Sequence, residues 1–147
     1  MALDVILMDL LKKYSKDTSS YKYKYYKRIL STNYGSLSFW LIFVDPPEFP
    51  KIIEAANAGL AADSTNDFIY TNLALGYLLS NDTIQAKKIY KKLKGKDCIT
   101  LFKKFETAFL EDFSDIERRK IILPKTELYN LVLRIKCFLR NENGCVL

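Results

Sequence analysis

The sequence predicts an all-α fold, and three observations carry that reading. Apolar residues recur at threes and fours through most of the 147 residues, the spacing of helices with one buried stripe. Glycine and proline are few, 5 and 4, so the chain lacks the turn density of an all-β domain. An apolar content of 49% lets a chain of this length close one core, so residues 1–147 read as a single helical domain.

The elements follow in order. Leu3 to Tyr14 places Leu3, Leu7, Leu10 and Leu11 on one helical face, with Asp4 and Lys12 at its edges. The polar run from Ser15 to Ser20 breaks that helix and offers N-cap side chains. Tyr21 to Val44 is the next helix, with a break allowed near Ser31–Gly35. Its opening, Tyr21-Lys22-Tyr23-Lys24-Tyr25, alternates like a strand when read alone. Asp45-Pro46-Pro47 ends it, because proline cannot donate to the helical ladder and biases its predecessor away from helix. Pro50 sits where a first-turn proline is tolerated and opens Lys51–Ala62, a helix that Ala55, Ala56, Ala58, Gly59 and Ala61 make thin-sided. Asp63–Asn66 is a turn and cap before the helix Asp67–Ser80. Asp82 or Thr83 caps Ile84–Leu93, and Gly95 stops it. Leu101, Phe102, Phe105, Ala108, Phe109, Phe113 and Ile116 mark a strongly amphipathic helix. After Pro124, the residues Leu128, Leu131, Val132, Ile135, Phe138 and Leu139 mark the last one. No stretch makes a convincing sheet.

Within this pattern Tyr70, Leu73, Ala74, Tyr77, Ala86 and Tyr90 have the spacing of a tetratricopeptide helix–turn–helix, and a weaker copy recurs roughly 34 residues upstream. In that frame Ile52 falls on Ala86 and Ala56 on Tyr90. YGSLSFWLIF at 34–43, AGLAADS at 58–64, YTNLALGYLL at 70–79 and AFLEDF at 108–113 together resemble a subset of bacterial tetratricopeptide repeat proteins. The pattern departs at Ser64, where the repeat usually has proline, and at Asp45–Glu48, where the turn is longer. The resemblance implies stacked antiparallel helix hairpins, two of them over residues 34–98, with capping helices over 1–33 and 99–147. It further implies binding of a protein or peptide in a groove lined by the first helix of each pair, as an adaptor, a chaperone or an immunity protein.

Composition narrows the chemistry. Histidine is absent, which removes His-based triads, His-ligated metals and the commonest general base. With no Gly-rich phosphate loop either, the chain reads as non-enzymatic and without a cofactor or metal. Cys98, Cys137 and Cys145 are odd in number and lack close spacing, so neither a structural disulfide nor a zinc site is expected, and a reducing cytoplasm is the simplest setting. The apolar N-terminus is interrupted by Asp4 and Asp9, unlike a secretory signal, and no run reaches the ~20 apolar residues of a membrane span.

The net charge is +6, a balance that admits a polyanion without requiring one. Two segments give nucleic-acid binding as the alternative function: the Tyr/Lys-rich stretch at 20–28 and the basic helix over 84–96, where Lys87, Lys88, Lys91 and Lys92 cluster. The simpler reading gives those lysines a solvated face and the tyrosines a capping role. Glu111, Asp112, Asp115 and Glu117 likewise read as a solvated acidic face balanced by Arg118, Arg119 and Lys120.

If Tyr70, Leu73 and Tyr77 pack inward, the same helix turns Phe68, Thr71, Asn72, Leu75 and Leu79 towards the groove. Ser36 and Phe39 take that place on the upstream helix, and Glu106 on the downstream one. Asn72 is the leading contact, since its amide both donates and accepts; the alternative is an asparagine that bonds the neighbouring helix. On the groove reading, Asn72→Ala and Phe39→Ala weaken partner binding and leave the melting temperature nearly unchanged.

Overall fold

The computed structural model of the chain describes residues 2–45 and 47–147, with the side chains of residues 2–4 left aside. Pro46, and the side chains of Leu3 and Asp4, which figure in the helix assignments above, therefore lie outside the described residues. Among the described residues seven α-helices carry the fold. They are α1 (Ala2–Tyr14), α2 (Tyr21–Trp40), α3 (Phe49–Ala62), α4 (Ile69–Leu79), α5 (Thr83–Leu93), α6 (Phe105–Arg118) and α7 (Glu127–Leu139). The all-α expectation holds.

The helix starts have local causes. Ser20 accepts the Tyr23 amide at 3.2 Å, Asp82 accepts Gln85 at 3.2 Å, and Thr126 accepts Tyr129 at 3.1 Å, each meeting an orphan donor of a first turn. Pro50 lies in the first turn of α3. Gly95, at φ +83°, sits just past α5 in the left-handed region that glycine reaches without penalty.

Each of α1 to α5 packs on its neighbour in sequence, while α2 also touches α4 and α4 touches α6. The central helix is α4. Ile69, Thr71 through Gly76, Leu78 and Leu79 are all buried, so it is enclosed on every side rather than amphipathic. A side chain at Gly76 would sit 2.9 Å from Ile52 on α3, which is why only glycine lets these two helices approach so closely. Beyond α4, Tyr90 of α5 meets Phe109 of α6 edge to face at 4.7 Å and Phe113 at 5.7 Å. Val132, Ile135 and Leu139 of α7 complete this part of the core.

Four expectations need correction. First, α2 is unbroken from Tyr21 to Trp40, followed by a 3₁₀ turn over Leu41–Phe43. Gly35 marks close packing, not a break: a Cβ there would lie 2.6 Å from the Phe68 ring. The alternating Tyr/Lys opening is helical too.

Second, the downstream helix starts at Phe105. Residues 97–104 form a loop closed by the short antiparallel pair β1 (Asp97–Cys98) and β2 (Lys103–Lys104). The Asp67 carboxylate organises this loop, accepting the Ile99 amide at 2.7 Å, the Thr100 amide at 3.0 Å and the Thr100 hydroxyl. Burial alone would raise its pKa, but these donors outweigh burial and hold it below the ordinary carboxylate value. Asp67 is therefore committed to the loop, and Phe102 is left 94% exposed at φ +53°.

Third, α4 begins at Ile69, and Asn66 before it is buried, donating to Ser31 and Thr32 of α2 at 3.1 and 3.2 Å. Fourth, Cys137 and Cys145 form a disulfide, with Cα atoms 5.8 Å apart, and only Cys98 is free. Gly144, at φ +82°, helps turn the tail back, and Leu147 is buried in the core. The disulfide removes the cysteine-based reason for assigning a reducing compartment.

Candidate functional site

A cleft of about 260 Å³ opens where α2, α4 and α6 meet the loop between β1 and β2. Ser36, Phe39 and Trp40 come from α2, Phe68, Thr71 and Asn72 from the start of α4, Leu101 from the loop, and Asp112 from α6. Phe39 and Trp40 meet edge to face at 5.4 Å, and Phe39 meets Phe43 at 5.1 Å. Trp40 is 60% exposed, a large apolar surface left open at the mouth of the cleft.

The structure thus brings Ser36, Phe39, Phe68, Thr71 and Asn72 to one place, and it puts the remaining candidates elsewhere. Leu75 and Leu79 are 2% and 7% exposed and belong to the core, because α4 has packed neighbours on the side that was expected to face a groove. Glu106 accepts the Gly95 amide at 2.7 Å and ties the end of α5 to α6, away from the cleft. Asn72 lines the cleft but is 2% exposed. Its Nδ2 donates to the Gly35 carbonyl at 3.0 Å and to the Ser38 hydroxyl at 2.9 Å, which is the helix-bonding alternative. Both amide hydrogens serve α2, so a ligand meets at most its oxygen.

Asp112 is the residue the sequence reading misplaced. Its α6 neighbours are paired as a solvated acidic face requires: Glu111 with Lys103 at 2.7 Å, Asp115 with Arg118 at 2.7 Å, and Glu117 with Lys136 at 3.0 Å. Asp112 has no cationic partner among the described residues, and its Oδ2 is buried without a hydrogen bond. Burial pushes its carboxyl up from 3.8 to about 7. The Thr71 hydroxyl opposes that rise, Asp115 and Glu111 add to it, and Lys103 offsets part of it. A buried polar atom without a partner is costly and calls for an explanation. A signal for this placement was present in the sequence. Asp112 stands four residues after Ala108, which is buried at 2% exposure, and such i, i+4 neighbours share a helix face.

The other surfaces offer less. A shallow depression over Thr107, Leu110, Glu111, Ser114 and Asp115 belongs to α6 alone, and a cleft between α2 and α3 is flanked by Lys51 and Glu54. Lys88, Lys91 and Lys92 are exposed on α5, on the side away from Ala86, Tyr90 and Leu93. The N-terminal tyrosines engage one another: Tyr14 stacks on Tyr26 at 5.7 Å, Tyr21 on Tyr25 at 5.9 Å, and Lys22 lies 5.5 Å from the Tyr14 ring centre. Among the described residues no helix is long and apolar enough to cross a membrane.

No protein-family model matches the chain, and no curated protein or solved structure matches it.

Proposed function

We propose that this chain is a non-enzymatic binding module, a short array of tetratricopeptide-like helix pairs that holds a segment of another polypeptide in the cleft between α2, α4 and α6. Roles as an adaptor, a chaperone or an immunity protein all fit such a module. The observation that carries this reading is the cleft itself. Three alternate helices and one loop converge on it, with exposed aromatic surface at its mouth and an unpartnered carboxylate inside. A volume near 260 Å³ lies below the roughly 300–1,000 Å³ of most small-molecule sites and suits one inserted side chain of a longer ligand.

The hairpin packing supports the repeat. Ile52 and Ala86, and Ala56 and Tyr90, paired by the repeat frame, are all buried. Nucleic-acid binding through residues 20–28 and 84–96 rests on charge alone, and the mutual stacking of the tyrosines gives it no specific support.

Site-specific photocrosslinking tests the proposal. A benzophenone amino acid placed at Trp40 should crosslink a discrete protein in cells, and the same group placed at Lys88, exposed on α5 outside the cleft, should not. Crosslinking from Lys88 alone, or to RNA or DNA from either position, contradicts it.

A further inference from the structure

We propose that the cleft receives a lysine or arginine side chain of the bound polypeptide, with Asp112 as its counter-charge and Phe39, Trp40 and Phe68 as its aromatic walls. This rests on the groove reading above and adds the chemistry of the ligand. Three observations converge on a cation. Asp112 is the one carboxylate on this face of α6 left without a basic partner among the described residues, while Glu111 and Asp115 are both matched. Its Oδ2 is buried beside the cleft and accepts nothing, so an entering N–H donor meets an unused acceptor in a weakly screened place. Phe39, Trp40 and Phe68 line the same space, and a guanidinium or ammonium over an aromatic face is attracted by the ring quadrupole. A neutral or acidic side chain would leave the carboxylate unmatched.

The charges around Asp112 set the sign of the pH dependence. Glu111 and Asp115 on α6 and Lys103 on β2 act on it. The Tyr90 hydroxyl of α5, held protonated well above the ordinary range by burial, also feels its charge, and α2 and α4 turn only uncharged side chains to the cleft. With its carboxyl displaced to about 7, Asp112 passes from roughly one-tenth to nine-tenths ionised between pH 6 and pH 8. Arginine stays charged throughout. Affinity for a cation therefore rises about tenfold over that interval.

Trp40 is the single tryptophan, so its indole N–H gives one resonance at the mouth of the cleft. Titration with the blocked tripeptides acetyl-Ala-Arg-Ala-amide, acetyl-Ala-Gln-Ala-amide and acetyl-Ala-Glu-Ala-amide tests the proposal by NMR. The arginine peptide should shift that resonance saturably, with at least a fivefold preference over glutamine at pH 8 that is largely lost at pH 6. Asp112→Asn, close in shape, should abolish the preference while the spectrum keeps its dispersion, and Glu111→Gln should retain it. Equal response to arginine and glutamine overturns the cation assignment and leaves the groove standing. No response to any peptide overturns the assignment as well, and the Trp40 crosslink then decides the groove separately. A preference that survives in Asp112→Asn, or is lost in Glu111→Gln, shows that the counter-charge is not Asp112.

Discussion

Asn72→Ala separates a structural asparagine from a ligand-binding one. In the folded chain the Asn72 amide reaches the Gly35 carbonyl at 3.0 Å and the Ser38 hydroxyl at 2.9 Å, and Ser38 reaches the same carbonyl at 2.7 Å. The three groups close a buried triangle that joins α4 to α2. Alanine removes two hydrogen bonds, each contributing about 1 kcal/mol net, together with the packing of an enclosed side chain. The Gly35 carbonyl keeps Ser38 as a donor, so no acceptor is stranded, and the loss should be about 2–3 kcal/mol. For a domain of 147 residues, that corresponds to a melting temperature lower by roughly 5–10 °C. This reverses the sequence-based expectation that the substitution leaves stability unchanged. Urea unfolding followed by far-ultraviolet circular dichroism measures it, and Ser38→Ala completes a double-mutant cycle with an expected coupling of about 1 kcal/mol. A loss under about 0.5 kcal/mol with no coupling would show that the amide is not held by α2.

Three further outcomes follow from the packing and from Asp112. Ala74→Trp and Ala86→Trp, at positions with 0% exposure, should each destabilise the chain by about 1–3 kcal/mol or more through overpacking; an unchanged melting temperature in both refutes the hairpin register. Asp112 has a folded value near 7 against 3.8, so its contribution to stability is full below pH 4 and is lost as pH rises through 7. Asp112→Asn should therefore exceed the wild type by up to about 4 kcal/mol at pH 8 and lose that advantage near pH 4, as read by unfolding at both pH values. Alkylation of the unfolded, unreduced protein should label Cys98 alone, and labelling of all cysteines without reductant would exclude the Cys137–Cys145 bond.

The helices were legible because burying one stripe per helix imposes the 3.6 period directly on the sequence. That period counts faces but not neighbours. Leu75 and Leu79 look like groove residues on a two-sided helix, yet α4 is surrounded, and no local pattern announces that. Leu101 and Phe102 continue the apolar spacing of α6 into a segment that Asp67 holds as a loop, a tertiary constraint more than thirty residues distant in sequence. Ser36, Phe39, Phe68, Thr71 and Asn72 come together because α2 packs against the start of α4. Trp40, Leu101 and Asp112 were missed for different reasons. Trp40 continues the apolar helical spacing of Leu30 and Leu37, which reads as packing, and Leu101 continues that of α6. Asp112 was hidden among acidic neighbours, although its spacing from Ala108 places it on the buried side. The cysteines were misjudged because an odd count says nothing about which pair the tail brings together.

The most direct measurement of the central claim is the affinity of the crosslinked partner, purified, for three forms of the full chain: wild type, Phe39→Ala with Trp40→Ala, and Lys87, Lys88, Lys91 and Lys92 all changed to glutamine. Calorimetric titration should show the aromatic double variant at least tenfold weaker than wild type, as expected for anchors in a partly enclosed cleft, and the lysine variant within about twofold at constant salt. Normal binding by the aromatic variant, with binding lost in the lysine variant, would place the interaction on the outer face of α5 and contradict the groove.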